Sequence, residues 1–552
     1  MPIIALLLGF LTLVFGCSTL GTESRVYKYE GPDYVHLRIL AINDFHGHIA
    51  TSSSSFGGVG RVDYLAANLA SAAEGAEHSV FVSAGDLIGG SPLISALFHD
   101  EPTIEAMNLM GLAINAVGNH EFDEGPAELL RMQNGGPHPV DGDLDGDPFY
   151  GADFQFLGAN VVYDSTGATL FPPYAVRQYD GVKVAFIGLT LEGTPNIVAR
   201  YGVEGLTFLD EAETVNALVP GLRQQGIEAI VVLLHEGGLS DGGQDDCGSG
   251  LTGPVAEVTA RLDDAVDLVI AGHTNDEFIC EVDGKWVTMA DNAGRLFTVI
   301  DATLSRDTGD LTVRHIRNQP NTQEGTTPVP ALTALIDKYQ TLTDPRANAV
   351  VGTVSADIIR ERNDAGESAL GNVIADAHLA ATRGAGAVVA FMNSGGMRDD
   401  IRYAASGEEA DGELTYGEAF AVHPFGNSMV TMTLTGAQIH ALLERQFRSD
   451  DPESNRVLQV SEGFSYTWDA RQPVGSKVEV STITIEGEVV DPEKSYRVTV
   501  NSYLADGGSG FSILTEGTDR TGGEIDLDAL VAYFASGNTV EPGQQDRITR
   551  LN

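Results

Sequence analysis

Residues 37–46 read LRILAINDFH, an apolar run that stops abruptly at an acidic residue and a histidine. The same arrangement recurs along the first half of the chain, as VFVSAGD at 80–86, AINAVGNHEFD at 113–123, IVVLLHE at 230–236 and LVIAGHTN at 268–275. Apolar runs of this length are typical of buried strands, and the segments between them show helical patterning. The sequence therefore predicts a layered α/β domain.

Side chains that bind metals stand at the ends of these five runs. The carboxyl ends of parallel strands meet at one edge of a sheet, so we expect these side chains to gather there. Taken singly, each residue is typical of a turn or of a hydrogen-bonded surface position. The residues are Asp44, His46, Asp86, Asn119, His235 and His273.

Asp-x-His, Gly-Asp, Gly-Asn-His-Glu, a strand-final His and Gly-His, in this order, resemble the motifs of calcineurin-like metallophosphoesterases. The resemblance implies a four-layer αββα domain over residues 35–320 that holds two divalent metal ions, whether Mn, Zn, Co or Mg, bridged by Asp86. It assigns to one ion Asp44, His46 and Asn275, and to the other Asn119, His235 and His273. Asn275 departs from the family, which places His or Gln there, and its side chain is one methylene shorter than Gln.

The resemblance also implies two catalytic residues beside this metal site. His120 would face the phosphate as a proton donor or electrophile, next to the ligand Asn119. Asp123 would orient the imidazole through its other ring nitrogen. The alternative for Asp123 is the N-cap of a helix.

A second domain is predicted to begin near Val350. Residues 321–349 read as a linker and hinge helix, with a helix from Ala331 to Leu342 and a break at Asp344 and Pro345. Residues 350–552 carry four segments that resemble the markers of the 5'-nucleotidase C-terminal domain, which is a smaller α/β substrate-binding domain. These segments are ESALGNVIAD at 367–376, NSGGMR at 393–398, PFGN at 424–427 and GGSG at 507–510.

The second resemblance implies a binding site for a nucleotide. Arg398, with Asn393 and Gly396 in the same segment, would grip the phosphate, which a planar guanidinium does with two hydrogen bonds. Phe425 and Tyr503 would stack on the two faces of the base. Asn427 would contact the base through its amide.

Two positions depart from this pattern. Arg360 matches one upstream phosphate-gripping arginine, but Asp364 stands where the family has a second. Ser509 replaces the aspartate that binds the sugar hydroxyls. A serine makes one hydrogen bond where a carboxylate accepts two charge-assisted bonds, so sugar recognition is expected to be weaker or different.

The formal net charge of −46 excludes one class of partner. Binding to nucleic acid polymers relies on clustered lysine and arginine, which this chain lacks. We therefore expect a small-molecule nucleotide substrate. The sequence carries no signal for an oligomeric state.

The N-terminus predicts export from the cytoplasm. Residues 1–17 form an apolar run of signal-peptide length. Residues 14–17 resemble a bacterial lipobox, in which Cys17 would carry a lipid anchor, although no lysine or arginine precedes the run. A periplasmic, cell-surface or secreted location follows, with an outer-membrane lipoprotein and plain secretion as alternatives.

Two further features have open alternatives. Cys247 and Cys280 would form a disulfide in an oxidising compartment, or remain as two core thiols. Residues 141–147, DGDLDGD, have the spacing of a calcium loop, but position twelve would be Ala152 where a bidentate Glu belongs. We expect a solvated loop there.

The combined motifs predict an exported, dinuclear-metal phosphoesterase of the 5'-nucleotidase type. The alternatives within the resemblance are a 2',3'-cyclic phosphodiesterase/3'-nucleotidase and a nucleotide-sugar hydrolase. A non-catalytic surface protein that only binds nucleotides is a different class. The presence of His120 and Asp86 argues against it, because a binder has no use for a metal-activated water.

Overall fold

The computed structural model describes residues 31–449 and 455–551. Residues 1–30, which include the predicted signal peptide and Cys17, lie outside the described residues. Among the residues that the structure describes, no helix is both long and apolar enough to cross a membrane.

The first domain is built on two six-stranded mixed sheets. Its strands are β1 (Tyr34–Ile42), β2 (Ser52–Ser53), β3 (Val59–Gly60), β4 (His78–Ser83), β5 (Ile114–Ala116), β6 (Gln155–Leu157), β7 (Val161–Tyr163), β8 (Tyr174–Tyr179), β9 (Val182–Thr190), β10 (Leu206–Phe208), β11 (Ala229–His235), β12 (Leu268–Ala271), β13 (Glu277–Val282), β14 (Lys285–Ala290), β15 (Leu296–Ser305) and β16 (Leu311–Pro320). Its helices are α1 (Val62–Ala73), α2 (Leu93–Ala96), α3 (Glu101–Met110), α4 (Pro126–Asn134), α5 (Glu211–Gln224), α6 (Pro254–Arg261) and α7 (Pro330–Ala347).

The sheets lie face to face, in the strand orders β16-β15-β1-β4-β5-β6 and β13-β14-β12-β11-β9-β8. Because side chains alternate across a strand, Leu37 and Ile39 of β1 enter the core between the sheets, whereas Leu40 and Ile42 face the outer helices. Helices α5 and α6 cover the other outer face. The predicted four-layer αββα architecture is confirmed.

Helix α7, in the segment predicted as a linker and hinge helix, packs into the first domain's core. Leu332, Ile336 and Tyr339 are buried in the same cluster as the outer helices, and the Tyr339 ring contacts Phe98 at 4.9 Å. The expected break at Pro345 is wrong, because the helix continues to Ala347. Packing outweighs the cost of a proline in the last turn.

The second domain centres on a five-stranded sheet of order β21-β18-β25-β20-β26. A four-stranded sheet, β24-β23-β22-β27, packs into the same core. Its strands are β17 (Val350–Thr353), β18 (Val389–Met392), β19 (Glu413–Thr415), β20 (Ser428–Thr435), β21 (Gln459–Val460), β22 (Phe464–Asp469), β23 (Thr484–Ile485), β24 (Glu488–Val489), β25 (Ser495–Asn501), β26 (Thr518–Ile525) and β27 (Ile548–Leu551). Its helices are α8 (Ala369–Thr382), α9 (Tyr416–Val422), α10 (Gly436–Glu444), α11 (Ser502–Ala505) and α12 (Asp526–Phe534).

The structure decides between the two alternatives for the cysteines and shows what the acidic loop contacts. Cys247 and Cys280 are joined by a disulfide, with their Cα atoms 4.9 Å apart. In the acidic loop, Asp145 and Asp147 accept hydrogen bonds from Lys338 of α7 at 2.6 and 3.0 Å. These hydrogen bonds fasten the acidic loop to α7.

Candidate active site

The carboxyl ends of five strands in the two facing sheets deliver the predicted metal ligands to one place. Strands β1, β4 and β5 end just before Asp44, Asp86 and Asn119. Strand β11 ends on His235, and β12 ends two residues before His273. Parallel pairing of β1 with β4 and of β11 with β12 aligns these ends, as the sequence predicts.

Asp86 lies at the centre of two groups of ligand atoms. Its Oδ2 atom is 3.0 Å from His235 Nε2 and 3.7 Å from His46 Nε2. One group comprises His46, Asp86 and His120, and the other comprises Asp86, His235 and His273. Within each group the ligand atoms lie within 4.8 Å of one another. A carboxylate shared by two groups is the arrangement that a dinuclear centre needs.

The remaining predicted ligands border these two groups. Asp44 Oδ1 is 3.9 Å from His46 Nε2 and accepts a hydrogen bond of 2.9 Å from the His273 backbone N–H. Asn119 Oδ1 lies 2.9 Å from His273 Nδ1. Asn275 lines a cavity beside His46.

Five of the predicted ligands hold a left-handed backbone. The φ angles are 49° at Asp44, 46° at His46, 50° at Asp86, 81° at His273 and 57° at Asn275. Residues other than glycine seldom adopt this region, and such strain collects at functional sites. The loops are thus shaped to aim these side chains inward.

Unsatisfied buried atoms test whether the residues fit a metal. His235 Nε2 is buried and makes no hydrogen bond, although Asp86 Oδ2 is nearby. Asn275 Oδ1 is also buried without a hydrogen-bond partner. A buried polar atom is costly when nothing pairs with it, and a cation would satisfy both. The donor set of carboxylates, imidazoles and amide oxygens fits a divalent metal.

Sequence reasoning missed the residue that positions Asp86. The buried carboxylate of Glu121 accepts hydrogen bonds from the backbone N–H groups of Asp86 at 2.9 Å and Gly118 at 2.7 Å. It also accepts bonds from the Leu87 N–H and the Asn115 side chain. Glu121 therefore joins the β4 and β5 loops. Its adjacency to His120 was the available signal.

The predicted catalytic pair is assembled. His120 Nδ1 lies 2.7 Å from Asp123 Oδ2, and the His120 backbone N–H donates to Asp86 Oδ1 at 2.9 Å. Burial alone would lower the pKa of His120, but the carboxylates of Asp123 and Asp86 raise it to about 9. The Asp123 side chain makes no N-cap hydrogen bond to helix α4, whose N-cap is Gly125.

A cavity of about 260 Å³ lies between the two domains. The two domains meet at this cavity. The ring of His120 from the first domain stacks on the ring of Phe425 from the second, with centroids 5.9 Å apart and an interplanar angle of 17°. The guanidinium of Arg398 lies 5.6 Å from the Phe425 centroid. The predicted residues in the cavity wall are Asn119, His120, Asp123 and His273 from the first domain, and Asn393, Gly396, Arg398, Phe425, Asn427, Tyr503 and Ser509 from the second.

Arg360 is the one predicted substrate residue absent from this wall. Its Nη1 atom donates to the Arg398 carbonyl at 2.8 Å, so it supports the backbone of Arg398 from behind. Arg456 and Tyr201 line the cavity instead. No sequence signal marks them, because each reaches the cavity only through the packing of its domain.

The Ser509 loop is tied to the predicted stacking residue. Ser509 adopts a φ of 54°, and its Oγ lies 3.0 Å from the Tyr503 hydroxyl. The Ser509 N–H donates to the same hydroxyl at 2.8 Å. The serine side chain therefore lines the cavity while it braces Tyr503.

Two family models match the chain. The calcineurin-like phosphoesterase model matches residues 37–276, and the model of the 5'-nucleotidase C-terminal domain matches residues 350–516. The two matches fall on the two domains of the structure.

Curated relatives match almost the whole chain. The cell wall protein Lmo0130 of Listeria monocytogenes is 32% identical over 578 residues, which cover 98% of this chain and 72% of the relative. The endonuclease YhcR of Bacillus subtilis is 32% identical over 537 residues, which cover 95% of this chain and 42% of the relative. The chain thus spans less than half the length of YhcR.

A solved structure shows the same arrangement of domains. The 5'-nucleotidase precursor from Thermus thermophilus is 28% identical, with a TM-score of 0.74. The match covers 94% of this chain and 99% of that one.

Proposed function

The chain belongs to the 5'-nucleotidase family of metal-dependent phosphoesterases, and we propose that it hydrolyses the phosphate esters of nucleotides in the cleft between its two domains. One observation carries this proposal. The cavity joins His120, beside the candidate metal ligands, to Phe425 and Arg398 of the second domain. A substrate with a phosphate at one end and a flat base at the other matches these two walls.

The proposed metal centre is dinuclear. Asp86 would bridge the ions, with Asp44, His46 and Asn275 around one and Asn119, His235 and His273 around the other. Mn²⁺, Zn²⁺, Co²⁺ and Mg²⁺ are the candidate ions. When bound, such ions acidify a water molecule and offset charge on the phosphate.

The chain's own residues perform the remaining steps. The Arg398 guanidinium binds the phosphate with two hydrogen bonds and so orients the ester. With Nδ1 of His120 held by Asp123, Nε2 is the atom that gives a proton to the leaving oxygen. The Asp123 carboxylate favours the protonated form of His120.

Base recognition rests on the second domain. Phe425 and Tyr503 both line the cavity, and aromatic stacking contributes about 1–3 kcal/mol per base. Asn427 offers an amide at the same wall. Ser509 provides a single hydroxyl for the sugar, so discrimination between ribose and deoxyribose is expected to be weak.

Two readouts test the proposal: release of inorganic phosphate from monophosphates, and chromatographic detection of the products of the other substrates, whose first cleavage releases no inorganic phosphate. The chelator-treated protein is assayed with and without Mn²⁺ on nucleoside monophosphates, 2',3'-cyclic nucleotides, a nucleotide sugar and a single-stranded oligonucleotide. The metal-dependent release of phosphate from monophosphates is expected to be fastest. Asp86→Asn is the inactive control.

The other substrates separate the alternatives. Faster cleavage of cyclic nucleotides or nucleotide sugars would reassign the substrate within the family. Cleavage of the oligonucleotide would favour the activity for which YhcR is named. Nucleotide binding without turnover of any ester would leave a binding protein.

We also propose that the chain works outside the cytoplasm. The Cys247–Cys280 disulfide supports this proposal, because disulfides persist in oxidising compartments. The cell wall protein Lmo0130 is a relative over nearly the whole chain. Fractionation, with metabolic labelling by a fatty acid in wild type and Cys17→Ala, distinguishes a lipid anchor from plain secretion.

A further inference from the structure

A second cluster of ligand side chains lies apart from the Asp86 groups. It comprises His99, Glu124, Glu128 and His138, and one ligand atom from each lies within 4.8 Å of the others. His99 precedes α3, Glu124 and Glu128 stand at the start of α4, and His138 follows that helix. The fold thus brings three separate segments to one point.

The two histidines of the cluster are stacked and surrounded by carboxylates. Their ring centroids are 3.8 Å apart with an interplanar angle of 17°. His99 Nδ1 lies 2.8 Å from Glu124 Oε2, and His99 Nε2 lies 3.1 Å from Asp141 Oδ2. His138 Nδ1 accepts a hydrogen bond from the Asp141 backbone N–H at 3.1 Å and lies 3.3 Å from the same Asp141 side-chain oxygen. Two face-to-face imidazoles repel each other if both carry a proton, and they lose that repulsion when they share a metal ion.

The charge of the cluster favours a bound cation. Three carboxylates, those of Glu124, Glu128 and Asp141, face the rings, and Arg131 binds Glu128 in a bidentate pair at 2.6 to 2.9 Å. Arg131 also pairs with Glu101, so its charge is shared. Glu128 Oε1 accepts two of these hydrogen bonds and Oε2 accepts one, so Oε2 keeps a further lone pair for a metal. The side chains of His99 and His138 are only 18% and 13% exposed, which limits competition from water.

We infer that His99, Glu124, Glu128 and His138 bind a divalent transition-metal ion, in a site separate from the dinuclear centre. Two imidazole nitrogens and two carboxylate oxygens are a tetrahedral donor set that suits Zn²⁺. Calcium and magnesium prefer oxygen donors alone. The inferred ion is therefore a transition metal and not the calcium that the DGDLDGD spacing suggests. Asp141 is not one of its ligands and only contacts the two histidines.

The site adjoins the catalytic pair. Glu124 follows Asp123 in the chain, and a cavity of about 100 Å³ is lined by His99, Glu124 and Glu128 on one side and by His120 and Asp123 on the other. A metal ion at the cluster would fasten the loop after α4 to the turn that holds Asp123. It would stabilise the wall behind the active site without contacting substrate.

Zinc stoichiometry tests this inference independently of activity. Chelator-stripped protein is loaded with Zn²⁺ and desalted, and the bound zinc per chain is measured by mass spectrometry. His99→Gln/His138→Gln is expected to bind one ion fewer than wild type. The matched control, His36→Gln/His315→Gln, removes two exposed histidines and is expected to bind as many ions as wild type.

Asp86→Asn separates this site from the catalytic one. The Asp86→Asn protein is expected to keep the zinc ion at the second cluster. The triple variant Asp86→Asn/His99→Gln/His138→Gln is expected to lose it. Cobalt loading of the same background is expected to give visible absorption bands of imidazole-bound Co²⁺, which disappear in the triple variant. If the double variant does not fold, Glu124→Gln, a milder change at a half-exposed position, replaces it as the test. Glu124→Gln is expected to weaken zinc binding at least tenfold.

Equal zinc content in wild type and the folded double variant would overturn the inference. Unchanged zinc affinity in Glu124→Gln would also count against it. Retention of Ca²⁺ in place of Zn²⁺ by the Asp86→Asn protein would show that the cluster is an oxygen-donor site, contrary to the assignment.

Discussion

A buried ion pair in the second domain offers a sharp test of how the substrate loops are held. His423 Nε2 lies 3.0 Å from Asp526 Oδ2, and neither side chain is exposed. His423 Nδ1 lies 2.8 Å from the Gly396 carbonyl, and the Asp526 N–H donates to the Asn427 carbonyl at 2.8 Å. The pair thus connects the phosphate segment at Gly396 to the base segment at Asn427. Asp526→Asn removes the charge and keeps the shape.

The expected loss is large because the histidine stays buried. Removal of one partner from a buried pair costs about 3–5 kcal/mol of the free energy of unfolding. For a domain of roughly 150–250 residues, each kcal/mol lowers Tm by about 2–4 °C, so the transition of the second domain should fall by roughly 6–20 °C. Asp528→Asn, at an exposed carboxylate on the same helix, is the matched control and should shift it by at most about 1–2 °C, because a surface substitution changes the free energy of unfolding by about 0.5 kcal/mol or less.

The pH dependence of this loss has a defined sign. Burial alone would lower the pKa of His423, but Asp526 raises it; burial would raise the pKa of Asp526, but His423 lowers it. The stability from His423 is fully present below its unfolded pKa of about 6.5 and is lost as pH rises through the folded value. The stability from Asp526 is present above about 3.9 and is lost as pH falls through its folded value. The difference between wild type and Asp526→Asn should therefore be largest at about pH 4–6.5.

Denaturation followed by circular dichroism, with KM and kcat for a nucleoside monophosphate, checks the prediction. Because the pair connects two binding segments, Asp526→Asn should raise KM more than it lowers kcat. If Asp526→Asn lowers Tm no more than Asp528→Asn does at every pH, the His423–Asp526 pair does not hold these loops.

Three further changes have defined outcomes. His120→Ala should lower kcat by about 10²–10⁴-fold with its metal content intact, whereas Asp86→Ala should lose bound metal; parallel loss of metal and rate in His120→Ala would show that the role is misassigned. Ser509→Asp should raise the preference for AMP over dAMP in kcat/KM by roughly 10–150-fold, from a charge-assisted hydrogen bond of about 1.5–3 kcal/mol, and an unchanged ratio would remove this loop from sugar recognition. Cys247→Ser/Cys280→Ser removes a crosslink between residues that are 33 positions apart in the sequence, and urea denaturation should show a free energy of unfolding lower by about 4 kcal/mol. A loss near zero would mean that the crosslink constrains the unfolded chain little.

Much of the first domain could be predicted from local patterns in the sequence. Apolar runs that end in Asp44, Asp86 and His235 identify strands and place their ligands at one edge, because parallel strands share the direction of their carboxyl ends. The chemistry of carboxylate, imidazole and amide oxygen then points to divalent metals. Phe425 and Arg398 were found through short segments that resemble the markers of the 5'-nucleotidase C-terminal domain.

Only the tertiary structure decided which distant residues meet. Glu121 braces Asp86, His423 pairs with Asp526, and Lys338 holds the acidic loop, and each contact joins segments whose relative position no local pattern contains. The sequence determined which side chains are able to bind metal, phosphate and base, because that ability belongs to each residue type and its immediate neighbours. The packing of the domains decided where those side chains lie, because distances across a fold depend on how all the buried surfaces fit together at once.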